Sequence, residues 1–312
     1  MAGEQEGVAI LGIFVADLAF RASRQPAIGE TLIGSGFAMG PGGKGSNQAV
    51  AAARAGSKVT IISKIGKDAF GDIARTAWMD EGIIARVTQS ATEPTGAAYI
   101  FVNDTNGENA IIVVPGAAST ITPSDVEAAA DAITGSRVFV TQLEQPMAAA
   151  KRGLEIARAA GVITVFNPAP AAPIDDAIYP LCDYVIPNEN EATALTGITV
   201  VTADDARRAA DVLLKKGARV ALVTLGDKGA LFHARERSVF LPSFYAGRVV
   251  ETAGAGDAFV GAFAAALASD GEPVAAARFA SAAAGISVTR AGTAPAMPRL
   301  AEIAQLLSGL PQ

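Results

Sequence analysis

The chain has 312 residues, half of them hydrophobic and only 18% charged, with a formal net charge of −6. That length and apolar content suffice for a substantial core and exclude extensive disorder, while the acidic balance and the absence of a basic run exclude a nucleic-acid-binding surface. One cysteine, Cys182, and one histidine, His233, exclude an internal disulfide and a zinc site built from four cysteines or from two cysteines and two histidines, and any Ser–His or Cys–His nucleophile would have to use His233.

Residues 1–7 are acidic and short, without the basic and apolar segments of a secretory signal. No later apolar run approaches the ~18 residues of a membrane span, so a cytoplasmic protein without membrane association is expected. Short β-rich runs then alternate with longer Ala-rich stretches, the pattern of a parallel sheet with helices on its faces. The spacing predicts strands at 8–12, 59–65, 138–143, 162–166, 184–187 and 220–225. Helices are predicted at 46–55, 69–81, 124–133, 147–160, 189–195, 203–216, 257–269 and 274–288. His233 falls on a strand near a hairpin and reads as structural, and Cys182 as a small core hydrophobe. No repeat, low-complexity tract or linker divides the chain, so residues 1–312 are expected to form one α/β domain.

Two segments interrupt the alternation, about 14–40 and 95–114. The second reads as a β-hairpin, 97–102 and 109–114, around the polar turn Asn103-Asp104-Thr105-Asn106-Gly107. Both are expected to leave the main layer and form a small antiparallel lid over the strand ends, where open α/β sheets bind ligands.

Within the first segment and beyond it runs Gly40-Pro41-Gly42-Gly43-Lys44-Gly45-Ser46-Asn47. It satisfies the dinucleotide pattern G-x-G-x-x-G, but that fingerprint must follow a buried first strand, and here Ser35-Gly36-Phe37-Ala38-Met39 precedes it. A phosphate-binding P-loop fails as well, because Gly45 follows Lys44 where Ser or Thr is needed. Lys44 and Asn47 beside bare backbone suit a polyol, which is held by directional donors and acceptors. A tight turn with Ser46 or Asn47 as helix N-cap is the plainer alternative, and the two are compatible.

The most informative stretch comes later. Glu251-Thr252-Ala253-Gly254-Ala255-Gly256-Asp257 precedes an apolar helical run. Small residues ahead of a helix let backbone N–H groups converge where the helix dipole favours an anion. Asp257 at the rim of such a pocket is either a helix-capping residue or a base for an attacking hydroxyl, and the second reading makes this a phosphoryl-transfer site.

With both clusters in place the chain resembles the ribokinase-like, PfkB-type carbohydrate kinases over nearly its whole length, most closely their ribokinase branch. Gly42-Gly43-Lys44-Gly45-Ser46-Asn47-Gln48-Ala49 is similar to the first family signature and Thr252-Ala253-Gly254-Ala255-Gly256-Asp257 to the second. Between them stand Gln142-Leu143-Glu144-Gln145-Pro146, Asn167-Pro168-Ala169-Pro170, Pro187-Asn188-Glu189-Asn190-Glu191 and Thr224-Leu225-Gly226-Asp227-Lys228-Gly229. The resemblance implies a nine-stranded α/β core with a β lid that often forms a dimer interface, and transfer of the ATP γ-phosphoryl group to the hydroxymethyl group of a small sugar. It implies Asp257 as catalytic base and Gly254, Ala255 and Gly256 as the anion hole. Asp17, Gly42, Gly43, Lys44, Asn47 and Glu144, with Asp257, match sugar-contacting positions. Asn188 and Glu191 match the pair linked to Mg²⁺ and phosphate, with Glu191 acting directly or through water, and Thr224, Gly226 and Gly229 match nucleotide-binding positions. Without the resemblance, Asn188 and Glu191 read as a capping box, Glu144 as a surface charge and Thr224-Leu225-Gly226 as a turn.

Two departures bear on substrate and cation. Ribokinases carry asparagine two residues before the aspartate that matches Asp17, where this chain has Val15, so a sugar lacking or repositioning one hydroxyl, a deoxypentose or another pentose or ketose, becomes a candidate beside ribose. Glu251 stands where the family has a cation-binding Asp, and Ala296 where ribokinases tend to have serine; K⁺ is therefore a candidate activator with Glu251 as ligand. A nucleoside kinase of the same family and a non-catalytic sugar-binding regulator are the competing functions.

Overall fold

Strands of four or five apolar residues with both faces buried must be covered by helices on each side. The computed structural model, which describes residues 5–309, has this arrangement. In chain order the elements are β1 (Val8–Leu11), β2 (Val15–Ala22), β3 (Gly36–Gly42), α1 (Lys44–Arg54), β4 (Val59–Gly66), α2 (Ala69–Asp80), β5 (Ile84–Ser90), β6 (Thr95–Asn103) and β7 (Asn109–Gly116). Next come α3 (Pro123–Glu127), α4 (Ala130–Thr134), β8 (Val138–Thr141), α5 (Met147–Ala159), β9 (Ile163–Phe166), β10 (Tyr184–Val185), α6 (Glu189–Thr196) and α7 (Ala203–Lys215). The remainder is β11 (Val220–Thr224), β12 (Gly229–Ala234), β13 (Arg237–Pro242), α8 (Ala255–Ala268), α9 (Pro273–Ser287) and α10 (Leu300–Ser308).

The main sheet runs β13-β12-β11-β10-β9-β8-β1-β4-β5, parallel from β11 to β5 with β12 and β13 antiparallel at one edge. Alternation along the strands divides the core in two. Val8 and Ile10 of β1, with Val138 and Val140 of β8, join Ala and Phe side chains of α1, α8 and α9. Ala9, Leu11 and Phe139 join Ala and Leu side chains of α5 and α7 on the other face. Alanine is what lets these helices lie close to the sheet. Burying Phe263 of α8, which is fully covered, stabilises by about 1.5–3 kcal/mol on its own.

The chain leaves β1 toward β4 on one side and later places β8 on the other. The strand order therefore reverses between β1 and β8, and at such a switch point the C-terminal strand ends leave a crevice. Here Gly12, Gly45 and Gln142 meet: a Cβ on Gly12 would lie 2.5 Å from Gln142 Oε1 and 2.6 Å from the Gly45 Cα.

The second sheet has the order β3-β2-β6-β7. It contains the predicted hairpin, β6 with β7, but it is not wholly antiparallel as expected: β2 and β6 pair in parallel, Val15 to Ala22 against Gly96 to Asn103. The reason is topological. Both strands follow parallel strands of the main sheet, β1 and β5, and so leave from the same end in the same direction. Two further differences concern boundaries. The predicted helix 124–133 is two short helices, bent so that Val126 and Ile133 reach one core. The edge strands β5 and β13 and the last helix α10 lie outside the predicted elements: the strands carry exposed polar residues that blunt the alternation, and α10 buries only Ile303. Among the described residues no helix is long and apolar enough to cross a membrane.

Candidate active site

The crevice is furnished from both sheets. α1 starts directly after β3, with Gly43 as N-cap rather than the expected Ser46 or Asn47. Both are buried inside the helix: Ser46 Oγ accepts the Trp78 indole N–H at 2.9 Å, and Asn47 Nδ2 donates to Asp257 Oδ2 at 3.0 Å. Asn47 Oδ1 is buried without a hydrogen-bond partner. Opposite it, α8 begins at Ala255, two residues earlier than predicted, with Gly254 as N-cap at φ 78°. Asp257 thus lies in the first turn, 5% exposed, and it does not cap the helix. Its second oxygen, Oδ1, accepts from Gln48 Nε2 at 3.0 Å. The first N–H groups of α8, which have no intrahelical acceptors, open beside this carboxylate.

Asp17 projects from β2 over the backbone of β3. A Cβ on Gly42 would lie 2.1 Å from Asp17 Oδ1, so only glycine admits the carboxylate there. The Thr293 hydroxyl donates to Asp17 Oδ2 at 3.3 Å. Glu144, just beyond β8, accepts the Lys44 backbone N–H at 2.7 Å. Burial pushes Glu144 up from an ordinary 4.5 to about 7, against the opposing pull of Lys44. Burial likewise raises Asp17 from 3.8 to about 6, with the Asp257 and Glu251 charges adding to it. The Lys44 ammonium is held above its usual range, chiefly by Asp257, then by Glu144 and Glu191. Asp17, Gly42, Gly43, Lys44, Asn47, Glu144 and Asp257 are therefore brought together by the fold.

Asn188 and Glu191 do form a capping box at the start of α6: Asn188 Oδ1 accepts from the Glu191 N–H at 2.8 Å, and Glu191 Oε2 from the Asn188 N–H at 2.9 Å. Glu191 is also 7% exposed, its carboxyl raised by burial and in the field of Lys44. Thr224 N–H donates to Pro187 O at 2.9 Å and Leu225 N–H to Gly229 O at 2.8 Å, which sets Thr224, Gly226 and Gly229 in one turn beside α6. Glu251 is differently engaged: its Oε2 accepts the Gly292 N–H at 2.8 Å and tethers the segment that carries Thr293. Ala296 is buried. His233 and Cys182 are outside the site; His233 Nε2 lies 3.0 Å from Asp211 Oδ1 of α7, and the Cys182 thiol donates to Ile178 O at 3.2 Å.

Three residues escaped sequence reading: Gln48, Asn167 and Thr293. Gln48 adjoins Asn47 in the first signature and Asn167 opens Asn167-Pro168-Ala169-Pro170, so their positions are visible in the sequence, but the pairing of Gln48 with Asn167 and Asp257, 119 and 209 residues away, is not.

Residues 5–300 match the sequence profile of the pfkB family carbohydrate kinases. The chain is 38% identical over 303 residues to the deoxyribokinase of Salmonella typhi, covering 96% of this chain and 98% of that one. It is 38% identical over 280 residues to the ribokinase of Haemophilus influenzae, covering 89% and 91%. The structure of Arabidopsis thaliana ribokinase complexed with ribose and ATP superposes with a TM-score of 0.90 at 29% identity, covering 97% and 99%.

Proposed function

The chain belongs to the pfkB family of carbohydrate kinases and is an ATP-dependent kinase of a pentose or deoxypentose, and from that premise we propose that Asp257 is its base, working against the amide nest at the start of α8. The observation that carries this reading is the placement of Asp257. It is a buried carboxylate in the first turn of a helix, engaged by two side-chain amides and beside a lysine, with no capping duty. Lys44, Asn47, Asp17 and Glu144 orient the sugar so that its hydroxymethyl oxygen meets Asp257. That oxygen bonds to the γ-phosphorus as the bond to the β–γ bridging oxygen breaks; the hydroxyl proton passes to Asp257 and ADP leaves. The N–H groups of Gly254, Ala255, Gly256 and Asp257 stabilise charge on the transferring group, and Thr224, Gly226 and Gly229 border the nucleotide.

Magnesium fits this donor set. Mg²⁺ is usually held by phosphates, waters and one or two carboxylates, and Glu191, a buried carboxylate oriented through both oxygens by Asn188, would be the carboxylate that meets it, directly or through water. When bound it would neutralise charge on the phosphates. Glu251, with one oxygen tied to Gly292, leaves the other for a monovalent cation. Turnover is expected to be higher in potassium than in tetramethylammonium; equal rates contradict this.

The preferred acceptor is proposed to be 2-deoxy-D-ribose. Val15 is 3% exposed, two residues from Asp17 on the same strand face and opposite Gly42, where ribokinases carry an amide. A hydroxyl left unpaired there costs about 1–3 kcal/mol, and 1.4 kcal/mol is about tenfold. The expected kcat/KM is therefore about tenfold higher for 2-deoxy-D-ribose than for D-ribose, and Val15→Asn should reduce the difference. Ribose clearly preferred by the unaltered enzyme contradicts this.

The raised carboxyls set a pH dependence. As pH falls through about 7 and about 6, Glu144 and Asp17 of the free enzyme take up protons and lose acceptor capacity, so kcat/KM for the sugar falls on that acid limb. Stability moves oppositely. Both groups have folded-state values above their ordinary ones, so the stability they contribute is complete below about 4 and is lost as pH rises through about 6 and 7. Kinetic and melting profiles of Glu144→Gln should each lose the upper step.

The small sheet is proposed as a lid and a homodimer interface. Its face opposite Asp17 exposes Phe20, Phe37, Met39, Ile112 and Val114, an apolar surface of the kind that oligomers cover. Light scattering should give twice the 31.5 kDa chain mass, and one chain mass for Phe37→Glu combined with Ile112→Glu. A monomeric unaltered protein contradicts this.

A further inference from the structure

Asp257 Oδ1 is one end of a buried chain of primary amides. Gln145 Nε2 braces its far side, donating to the Gln142 main-chain carbonyl at 2.7 Å and to Thr141 Oγ1 at 2.8 Å. Gln142 Nε2 donates to Gln48 Oε1 at 2.5 Å. Gln48 then spends both amide hydrogens, one on Asp257 Oδ1 at 3.0 Å and one on Asn167 Oδ1 at 3.1 Å. Asn167 closes the chain by donating to Ile186 O at 2.8 Å. These side chains come from the ends of β8 and β9 and from α1, and the chain terminates on the Ile186 main-chain carbonyl just beyond β10. Gln48 and Gln142 are fully buried, so neither can touch a sugar or a nucleotide.

Direction in such a chain is fixed. With Gln142 donating to its oxygen, the Gln48 amide must present N–H to Asp257; turned over, it would set an oxygen against two other oxygens. We infer that Gln48 is a positioning residue for Asp257, with Gln142 acting through it. Asn47 holds the other carboxylate oxygen, so the two amides together fix the plane of the carboxylate against the incoming hydroxyl, the kind of alignment that governs rate rather than affinity. This rests on the assignment of Asp257 as base.

The test is steady-state kinetics of Gln48→Met and Gln142→Met on the full chain, with melting curves. Gln48→Met is expected to lower kcat at least tenfold while KM for sugar and for ATP stay within twofold. Gln142→Met, which leaves every contact of Asp257 in place, should lower kcat by a smaller factor in the same direction, and it decides the matter if Gln48→Met does not fold. In an Asp257→Asn background, Gln48→Met should cost no further turnover. The inference is overturned if kcat is unchanged in both variants, if KM rises in place of a fall in kcat, or if Gln48→Met costs the same factor with and without Asp257. A Gln48→Met enzyme at full kcat beside an inactive Asp257→Asn enzyme refutes the positioning role alone; an active Asp257→Asn enzyme refutes the base.

Discussion

Replacing Asp257 by asparagine is expected to lower kcat by about 10²- to 10⁴-fold, the usual contribution of a general base, equivalent to roughly 3–5 kcal/mol of barrier. The amide has the size of the carboxylate and stays in the first turn of α8, so packing around Phe259 and Phe263 is retained. What is lost is an acceptor for the hydroxyl proton, together with one of the two side-chain hydrogen bonds, since an amide turns one N–H toward Asn47 or Gln48 where each already offers a donor. KM for the sugar should change far less than kcat, because Lys44, Asp17 and Glu144 remain. ADP release measured beside a melting curve separates the two effects. Near-normal turnover in a folded variant removes Asp257 from the chemistry.

A valine at Gly254 should lower kcat by about 10²- to 10³-fold, the range for loss of a donor at developing negative charge. Gly254 is the N-cap of α8 in the left-handed region, φ 78°, which a β-branched residue resists. Its Cβ would also stand 3.2 Å from Thr293 Cα and 3.4 Å from Thr293 Cβ. To relieve both, the first peptide planes of α8 must turn and the N–H groups lose convergence. Thr293 holds Asp17, so displacing it should raise KM for the sugar several-fold as well. Gly254→Ala should show a milder form of the same pattern. A Gly254→Val enzyme with unaltered kcat means that the amide nest is not where phosphate charge is stabilised.

Much of this was legible in the sequence because both glycine clusters are local. Gly42-Gly43-Lys44 and Gly254-Ala255-Gly256-Asp257 declare turn, helix start and chemistry within a few residues, and the short apolar strands declare a covered parallel sheet. The parts that were not legible depend on partners remote in sequence. Nothing near Ser46 or Asn47 indicates that their side chains are claimed by Trp78 and Asp257, so a cap was expected where a buried network exists. The parallel pairing of β2 with β6 follows from the direction in which two separate strands leave the main sheet, which no hairpin turn records. Glu251 shows the same limit: nothing in its local sequence announces that its carboxylate ties down the Gly292 N–H, 41 residues away.

The most direct measurement is a crystal structure of the enzyme with 2-deoxy-D-ribose and a non-hydrolysable ATP analogue. The account predicts the sugar's hydroxymethyl oxygen within hydrogen-bond reach of Asp257, about 2.6–3.2 Å, with the terminal phosphate against the N–H groups at the start of α8. A sugar whose hydroxymethyl group points away from Asp257, or a terminal phosphate bound elsewhere, would contradict it.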